Sequence, residues 1–153
     1  MSSRTLSIPA ELKNLAEIRH FVERTATELG AGEGIVDDMV LAVDEAATNI
    51  ILHGYERGEG MIEIEMRRDG DALEIALRDG GVPFDPTCIP APDLHLPLEI
   101  RAPGGMGIHL MRQVVDEVNY CTTPQGGNEL TLVKRGLENP DPTSDPAVPK
   151  GAE

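Results

Sequence analysis

Glu45 and Asn49 stand four residues apart, Asp79 is followed by two glycines, and glycines 104, 105 and 107 crowd one short stretch. Residues four apart on a helix are neighbours, so Glu45 and Asn49 would meet there. A carboxylate beside a neutral oxygen donor suits a hard cation that keeps several waters, such as Mg²⁺ carried in on phosphates. The carboxylate alone suits a second task, taking the proton of a hydroxyl nucleophile. A solvated Glu/Asn pair on a helix edge is the plain alternative. Asp79 at a strand end is placed to accept a hydrogen bond from a ligand amino group, and Gly81 lets a flat ring approach the backbone. An ordinary Asp-Gly turn contains the same residues. Gly104-Gly105-Met106-Gly107 ahead of a helix would expose backbone N–H groups at the positive end of the helix dipole, where phosphates bind. No G-x-x-x-x-G-K-[ST] run occurs, and no strand–GxGxxG–helix unit with a following acid, so neither a Walker P-loop nor a Rossmann turn is present. A metal stripe, an acceptor for a base and a phosphate turn together are what a purine nucleotide requires.

The elements that must position these residues follow from periodicity. Arg4–Ile8 alternates as an edge strand, and Leu12, Leu15, Ile18, Phe21, Val22 and Ala26 recur at helical spacing up to Gly30 and Gly32. A second helix is expected from about Gly34 to His53, with its start near Glu33 and Gly54 at its end. At about 100° per residue, Ile35, Val36, Met39, Val40, Ala42, Val43, Ala46, Ala47, Ile50 and Ile51 fill one arc that packs on a sheet. Asp38, Glu45 and Asn49 fall beside that arc, near ~300°, ~280° and ~320°, with Leu41 and Leu52 on their far side. A polar stripe flanked by apolar residues on both sides predicts a partly covered face. His53 falls inside the packed arc, as a core histidine would.

Met61–Arg68 and Ala72–Arg78 alternate around Asp69-Gly70-Asp71 and read as a hairpin. Residues 80–105 are dense in Gly and Pro, a long loop of the functional or disordered kind. A third helix is expected from about Gly107 to Val115, then strands Val118–Thr122 and Glu129–Arg135 around Pro124-Gln125-Gly126-Gly127. The order β-α-α-β-β-loop-α-β-β predicts an α+β fold, a two-layer sandwich with a mixed, mostly antiparallel sheet and helices on one face. Met39, Met61, Met66, Met106 and Met111 are expected to fill gaps in a core poor in aromatics.

The 153 residues bound the chain to one domain with a tail: residues 1–136 as the domain, and 137–153 as an acidic, Pro-rich, disordered tail. The net charge is −14, from 27 acidic and 13 basic residues, which argues against a nucleic-acid or anionic-membrane binder. No apolar stretch approaches 18 residues and no secretory leader is evident, so no membrane span is expected. Cys88 and Cys121 are too few for a metal cluster, and a reducing cytoplasm is the default location.

Several runs resemble the GHKL ATPase superfamily. Glu45-Ala-Ala-Thr-Asn49-Ile-Ile-Leu-His53-Gly-Tyr resembles its N box. Asp79-Gly-Gly81 with Phe84-Asp85 resembles its G1 box, Gly104-Gly-Met-Gly107-Ile-His-Leu-Met its G2 box, and Gly127-Asn-Glu-Leu its last box. The layout of residues 4–135 is most similar to the anti-sigma factor serine-protein kinases of bacterial partner-switching systems. The resemblance implies a Bergerat-type sandwich holding Mg-ATP. It makes Glu45 the general base, Asn49 the Mg²⁺ ligand and Asp79 the acceptor from the adenine amino group with Gly81 beside the ring. It makes Gly104, Gly105 and Gly107 the phosphate cradle and Val82–Pro103 the nucleotide lid. Two positions depart from the pattern. Pro83 replaces a frequent second glycine, and Asn128 stands where the family usually has Thr. Asn128 shares a strand face with Leu130 and Leu132, so its amide is expected to reach the adenine.

The resemblance implies a serine/threonine protein kinase that phosphorylates an anti-sigma factor antagonist (a STAS-like protein), binds a sigma factor as its alternative partner, and forms a homodimer. The other readings are a nucleotide-dependent anti-sigma binding module without kinase activity, the catalytic domain of a sensor histidine kinase, and an acidic α+β domain with no ligand. Only about eleven residues precede the first expected helix, so a phospho-acceptor hairpin is not expected. Retention of the candidate base Glu45 favours the kinase over the binding module.

Overall fold

A computed structural model of the chain describes residues 3–54, 60–83, 85 and 105–138. Strand β1 (Ser3–Pro9) leads through a short 3-10 turn (Leu12–Asn14) into helix α1 (Leu15–Glu28). Helix α2 (Glu33–Asn49) follows and runs on into a π-helical turn over Ile50–Gly54. Strands β2 (Met61–Asp69) and β3 (Ala72–Asp79), helix α3 (Gly105–Val114), and strands β4 (Glu117–Thr122) and β5 (Asn128–Arg135) complete the order.

The strands form one sheet in the order β1-β2-β3-β5-β4. The mostly antiparallel sheet that was expected is antiparallel in all four pairings. Two hairpins account for two of them. The last strand, β5, turns back from β4 and slots beside β3, which runs opposite to it. The β2–β3 hairpin closes through Gly70, whose φ of +64° falls on the first of the two connecting residues, where a type II′ turn calls for glycine.

Alternation along the strands divides the sheet into two faces. Ile62, Ile64, Met66, Leu73, Ile75, Leu77, Leu130 and Leu132 point inward and are buried under the helices. Each such aliphatic side chain stabilises the fold by about 2 kcal/mol. The α2 arc behaves as its spacing predicts: Val36, Met39, Ala42, Val43, Ala46 and Ala47 are buried, and Ile35, Val40, Ile50 and Ile51 pack at the margin. Met39, Met66 and Met111 lie in the core. Met61 is 48% exposed, because it has the outward parity of β2 while Ile62, Ile64 and Met66 take the inward one.

Helix α1 ends in a Schellman motif. The Ala31 N–H donates to the Ala26 carbonyl and the Gly30 N–H to the Thr27 carbonyl, each at 3.0 Å, with Gly30 at φ +98°. That reversal lays α1 against α2, and α3 also packs on α2. The core runs past the expected end of the domain. Leu137 is 4% exposed, and its N–H donates to the Asp71 carbonyl at 2.9 Å. The first residue assigned to the tail therefore belongs to the core. The expected lid, apart from Val82, Pro83 and Asp85, lies outside the described residues, as do Gly104 and residues 139–153.

Candidate functional site

Three elements carry the expected site residues: the polar stripe of α2, the end of β3 with its partner β5, and the start of α3. The end of β3 is the most closely built. Asp79 is its last residue, opposite Asn128 in the β3–β5 register. The two are 8% and 6% exposed, a carboxylate and an amide sealed at the end of an otherwise aliphatic face. Asp79 Oδ1 accepts the Gly81 N–H at 2.9 Å and the Asn128 amide Nδ2 at 3.0 Å. The same Nδ2 donates to the Val82 carbonyl at 3.0 Å, so both amide hydrogens are used. Asn128 Oδ1 accepts the Tyr120 hydroxyl at 2.5 Å.

The backbone around this pair is as tight as the side chains. Gly127 precedes Asn128, and a Cβ there would lie 2.1 Å from the Asp79 carbonyl oxygen and 2.9 Å from the Gly80 Cα. Only a glycine admits that approach, since the obstacle is backbone. The Gly127 N–H is held by Thr123 Oγ1 at 2.9 Å, and Gly126 turns the chain at φ +89°. Gly127 belongs to the run that resembles the last box but carried no role of its own, and Tyr120 was not expected at the site. The Pro-Gln-Gly-Gly turn signals a hairpin, but a turn does not tell which distant backbone it touches.

On α2, Glu45 and Asn49 are both half-buried. Burial, with the Asp44 charge beside it adding to the effect, holds the Glu45 carboxyl above the ordinary carboxylate range. Asp44 is itself paired with Arg19 on α1, at 2.8 Å. Asp38, the third residue of the stripe, is engaged elsewhere: Lys134 of β5 reaches it at 3.2 Å and also donates to the Val114 carbonyl at 2.8 Å. Lys134 thereby ties α2, α3 and β5 together. The flanking Leu41 and Leu52 are 37% and 55% exposed.

Helix α3 begins at Gly105, so the backbone of Gly105 and Gly107 forms its first turn, and the helix packs on α2. Its N-terminal N–H groups lack intrahelical acceptors, as in any helix. The donor set on α2 fits a magnesium ion only if most ligands come from elsewhere. Among the described residues no group of three His, Cys, Asp or Glu side chains could hold a metal. One amide oxygen with one neighbouring carboxylate suits an ion that arrives on phosphates and keeps its waters.

The chemistry available is thus a one-sided acceptor at a strand end, a helix start rich in glycine, and a half-buried carboxylate one turn from an amide. This is the equipment of a nucleotide-binding α+β sandwich. The model of the histidine kinase-like ATPase domain matches residues 8–134. The serine-protein kinase RsbW of Bacillus cereus strain G9842 is 32% identical over 117 residues, 74% of this chain and 73% of that protein. RsbW of Bacillus mycoides strain KBAB4 is 31% identical over the same shares. The crystal structure of the RsbU and RsbW domains of Rv1364c from Mycobacterium tuberculosis superimposes with a TM-score of 0.61 at 19% identity. It covers 88% of this chain, which spans 32% of that longer one, and it supports the fold. The chain belongs to the histidine kinase-like ATPase family and is related to the RsbW proteins. No described helix is long and apolar enough to cross a membrane.

Proposed function

We propose that the chain is an ATP-dependent serine/threonine protein kinase of a bacterial partner-switching system. It transfers the γ-phosphoryl group of ATP to a hydroxyl of a small, STAS-like anti-sigma factor antagonist, and it binds a sigma factor as the alternative partner, as a homodimer in the cytoplasm. Asp79 takes the adenine amino group, with Gly81 beside the ring and Asn128 behind the carboxylate. Gly104, Gly105 and Gly107 hold the phosphates. Asn49 would ligate Mg²⁺, which would supply charge neutralisation at the transferring group when bound.

Glu45 accepts the proton of the attacking hydroxyl as its oxygen bonds to the γ-phosphorus. The bond from that phosphorus to the β–γ bridging oxygen breaks, and ADP leaves. Phosphoryl transfer of this kind needs positioning and electrostatic stabilisation more than covalent help. A carboxyl held above its ordinary pKa is a better proton acceptor than a solvated one, because its conjugate acid is weaker.

The observation that carries this reading is Glu45: a half-buried carboxylate with a raised pKa, one helical turn before Asn49. Gamma-labelled ATP and a purified cognate antagonist test it. Label passes to the antagonist with the native chain, and Glu45→Ala abolishes transfer while ATP still binds. Transfer that survives Glu45→Ala removes the base assignment. ATP binding by the native chain without any transfer makes the protein a nucleotide-dependent binding module instead.

A further inference from the structure

We propose that Tyr120 and Asn128 are positioning residues that fix Asp79 as a one-sided acceptor and so set which purine the site takes; the proposal rests on the nucleotide reading above. The Asn128 amide faces two acceptors, Asp79 Oδ1 and the Val82 carbonyl, each at 3.0 Å. The group pointing at them must therefore be the NH₂ end. The opposite end is the amide oxygen, and it accepts the Tyr120 hydroxyl at 2.5 Å. Turning the carboxamide over would set oxygen against a carboxylate and a carbonyl in a nearly water-free place. Tyr120 sits two residues before Thr122, the register partner of Asn128, and reaches it diagonally along the inner face of β4 and β5.

The consequence falls on Asp79. The Gly81 N–H donates to the same Oδ1 at 2.9 Å, so among the described residues both donors to this carboxylate lie on one oxygen. Oδ2 receives none among the described residues. A ligand that meets Oδ2 must bring a donor. The 6-amino group of adenine does; the 6-oxo group of hypoxanthine or guanine does not. A carboxylate free to rotate would carry the same charge, but it would not keep two donors on one oxygen and offer the other. The Tyr120–Asn128 arm removes that freedom, and through the Val82 carbonyl it also anchors the first residue of the loop beyond.

Asp79→Asn makes the arm visible. With Asn128 and the Gly81 N–H both donating to one side, the new side chain must turn its oxygen toward them and its NH₂ toward the ligand. An acceptor becomes a donor, and the preferred base changes from 6-amino to 6-oxo. Dissociation constants for Mg-ATP and Mg-ITP are measured by calorimetry on the native chain, Asp79→Asn, Asn128→Ala, Tyr120→Phe and Asp79→Asn combined with Asn128→Ala.

The native chain favours ATP. Asp79→Asn moves the ATP:ITP affinity ratio toward ITP by at least about tenfold, the scale on which a site built around one hydrogen bond rejects the wrong partner. Adding Asn128→Ala to Asp79→Asn removes that inversion, because nothing then orients the new amide. Tyr120→Phe and Asn128→Ala each lower the native ratio by about threefold or more. Residues that merely stabilise the fold would weaken both nucleotides together and leave the ratio unchanged.

An unchanged ratio in both Tyr120→Phe and Asn128→Ala overturns the proposal, even if Asp79→Asn binds neither nucleotide. An inversion that persists without Asn128 overturns it as well. Failure of the native chain to bind either nucleotide is a different result: it removes the nucleotide reading itself, and this proposal with it.

Discussion

Asn128 donates from its amide nitrogen to a carboxylate oxygen of Asp79 at 3.0 Å, across two strands that place the residues opposite one another but 49 positions apart in the chain. The close passage of Gly127 over the Asp79 backbone makes that approach possible. Gly127→Ala sets a methyl against a carbonyl oxygen that cannot swing aside. The expected result is a loss of about 1–3 kcal/mol in urea unfolding, the scale of overpacking. ATP affinity falls with it, because β3 and β5 separate where Asp79 is held. Gly126→Ala strains only the turn and is expected to weaken stability with little effect on ATP affinity.

Glu45 gives a signed pH dependence. Its carboxyl is held above the ordinary range chiefly by burial, so the folded state takes up the proton before the unfolded chain does as pH falls. Between the ordinary value and the raised one, stability therefore decreases as pH rises. Glu45→Gln removes the buried charge. Thermal unfolding is expected to show Glu45→Gln melting above the native chain at pH 7, with the difference shrinking as pH approaches 4. Phosphoryl transfer by the native chain falls over the same acid limb, since the base is then protonated.

The outward face of the sheet holds a network that sequence periodicity marks only as polar. Arg78 donates to Glu63 at 2.8 Å, to Glu65 at 2.8 Å and to Glu129 at 2.6 Å, joining β2, β3 and β5. Those carboxylates raise the Arg78 pKa, and hydrogen bonds from Arg78 and Ser3 hold Glu65 below the ordinary range. A lowered carboxylate pKa adds stability that is present above the unfolded value and lost as pH falls through the folded one. Arg78→Met leaves three carboxylates facing one another. It is expected to cost about 1–2 kcal/mol in urea unfolding at pH 7 and low salt. High salt recovers part of that loss, because it screens the repulsion.

Lys134 joins the C-terminal end of α3 to α2, with 2.8 Å to the Val114 carbonyl and 3.2 Å to Asp38. Lys134→Met keeps the apolar stem of the side chain and removes both bonds. Amide hydrogen exchange is expected to quicken in α3 while the β2–β3 hairpin is unaffected. The loss in stability is about 1 kcal/mol.

Local periodicity made most of the fold legible. The α2 arc, the β2–β3 hairpin and the β4–β5 return each follow from a repeat within a few residues of chain. The polar stripe was legible as a pattern, but not in its partners: Asp38 belongs to Lys134, 96 residues away. Asn128 was placed on the correct strand face, yet its neighbours Asp79, Val82 and Tyr120 are fixed by strand order, which no local pattern encodes. Met61 was read inward because its side chain is apolar, whereas strand parity turns it outward. Leu137 lies beyond a glycine that looks like an ending. Gly136, at φ +104°, is instead the turn that brings Leu137 back to the core.

Calorimetric titration of the chain with Mg-ATP tests the central claim most directly. One nucleotide binds per chain, and at a hundredfold excess over Kd it stabilises the fold by about 2.7 kcal/mol. Asp79→Ala, which removes the acceptor at the end of β3, abolishes binding, and Glu45→Ala leaves it in place. Absence of binding by the native chain at millimolar Mg-ATP, or binding that Asp79→Ala does not weaken, would contradict the account.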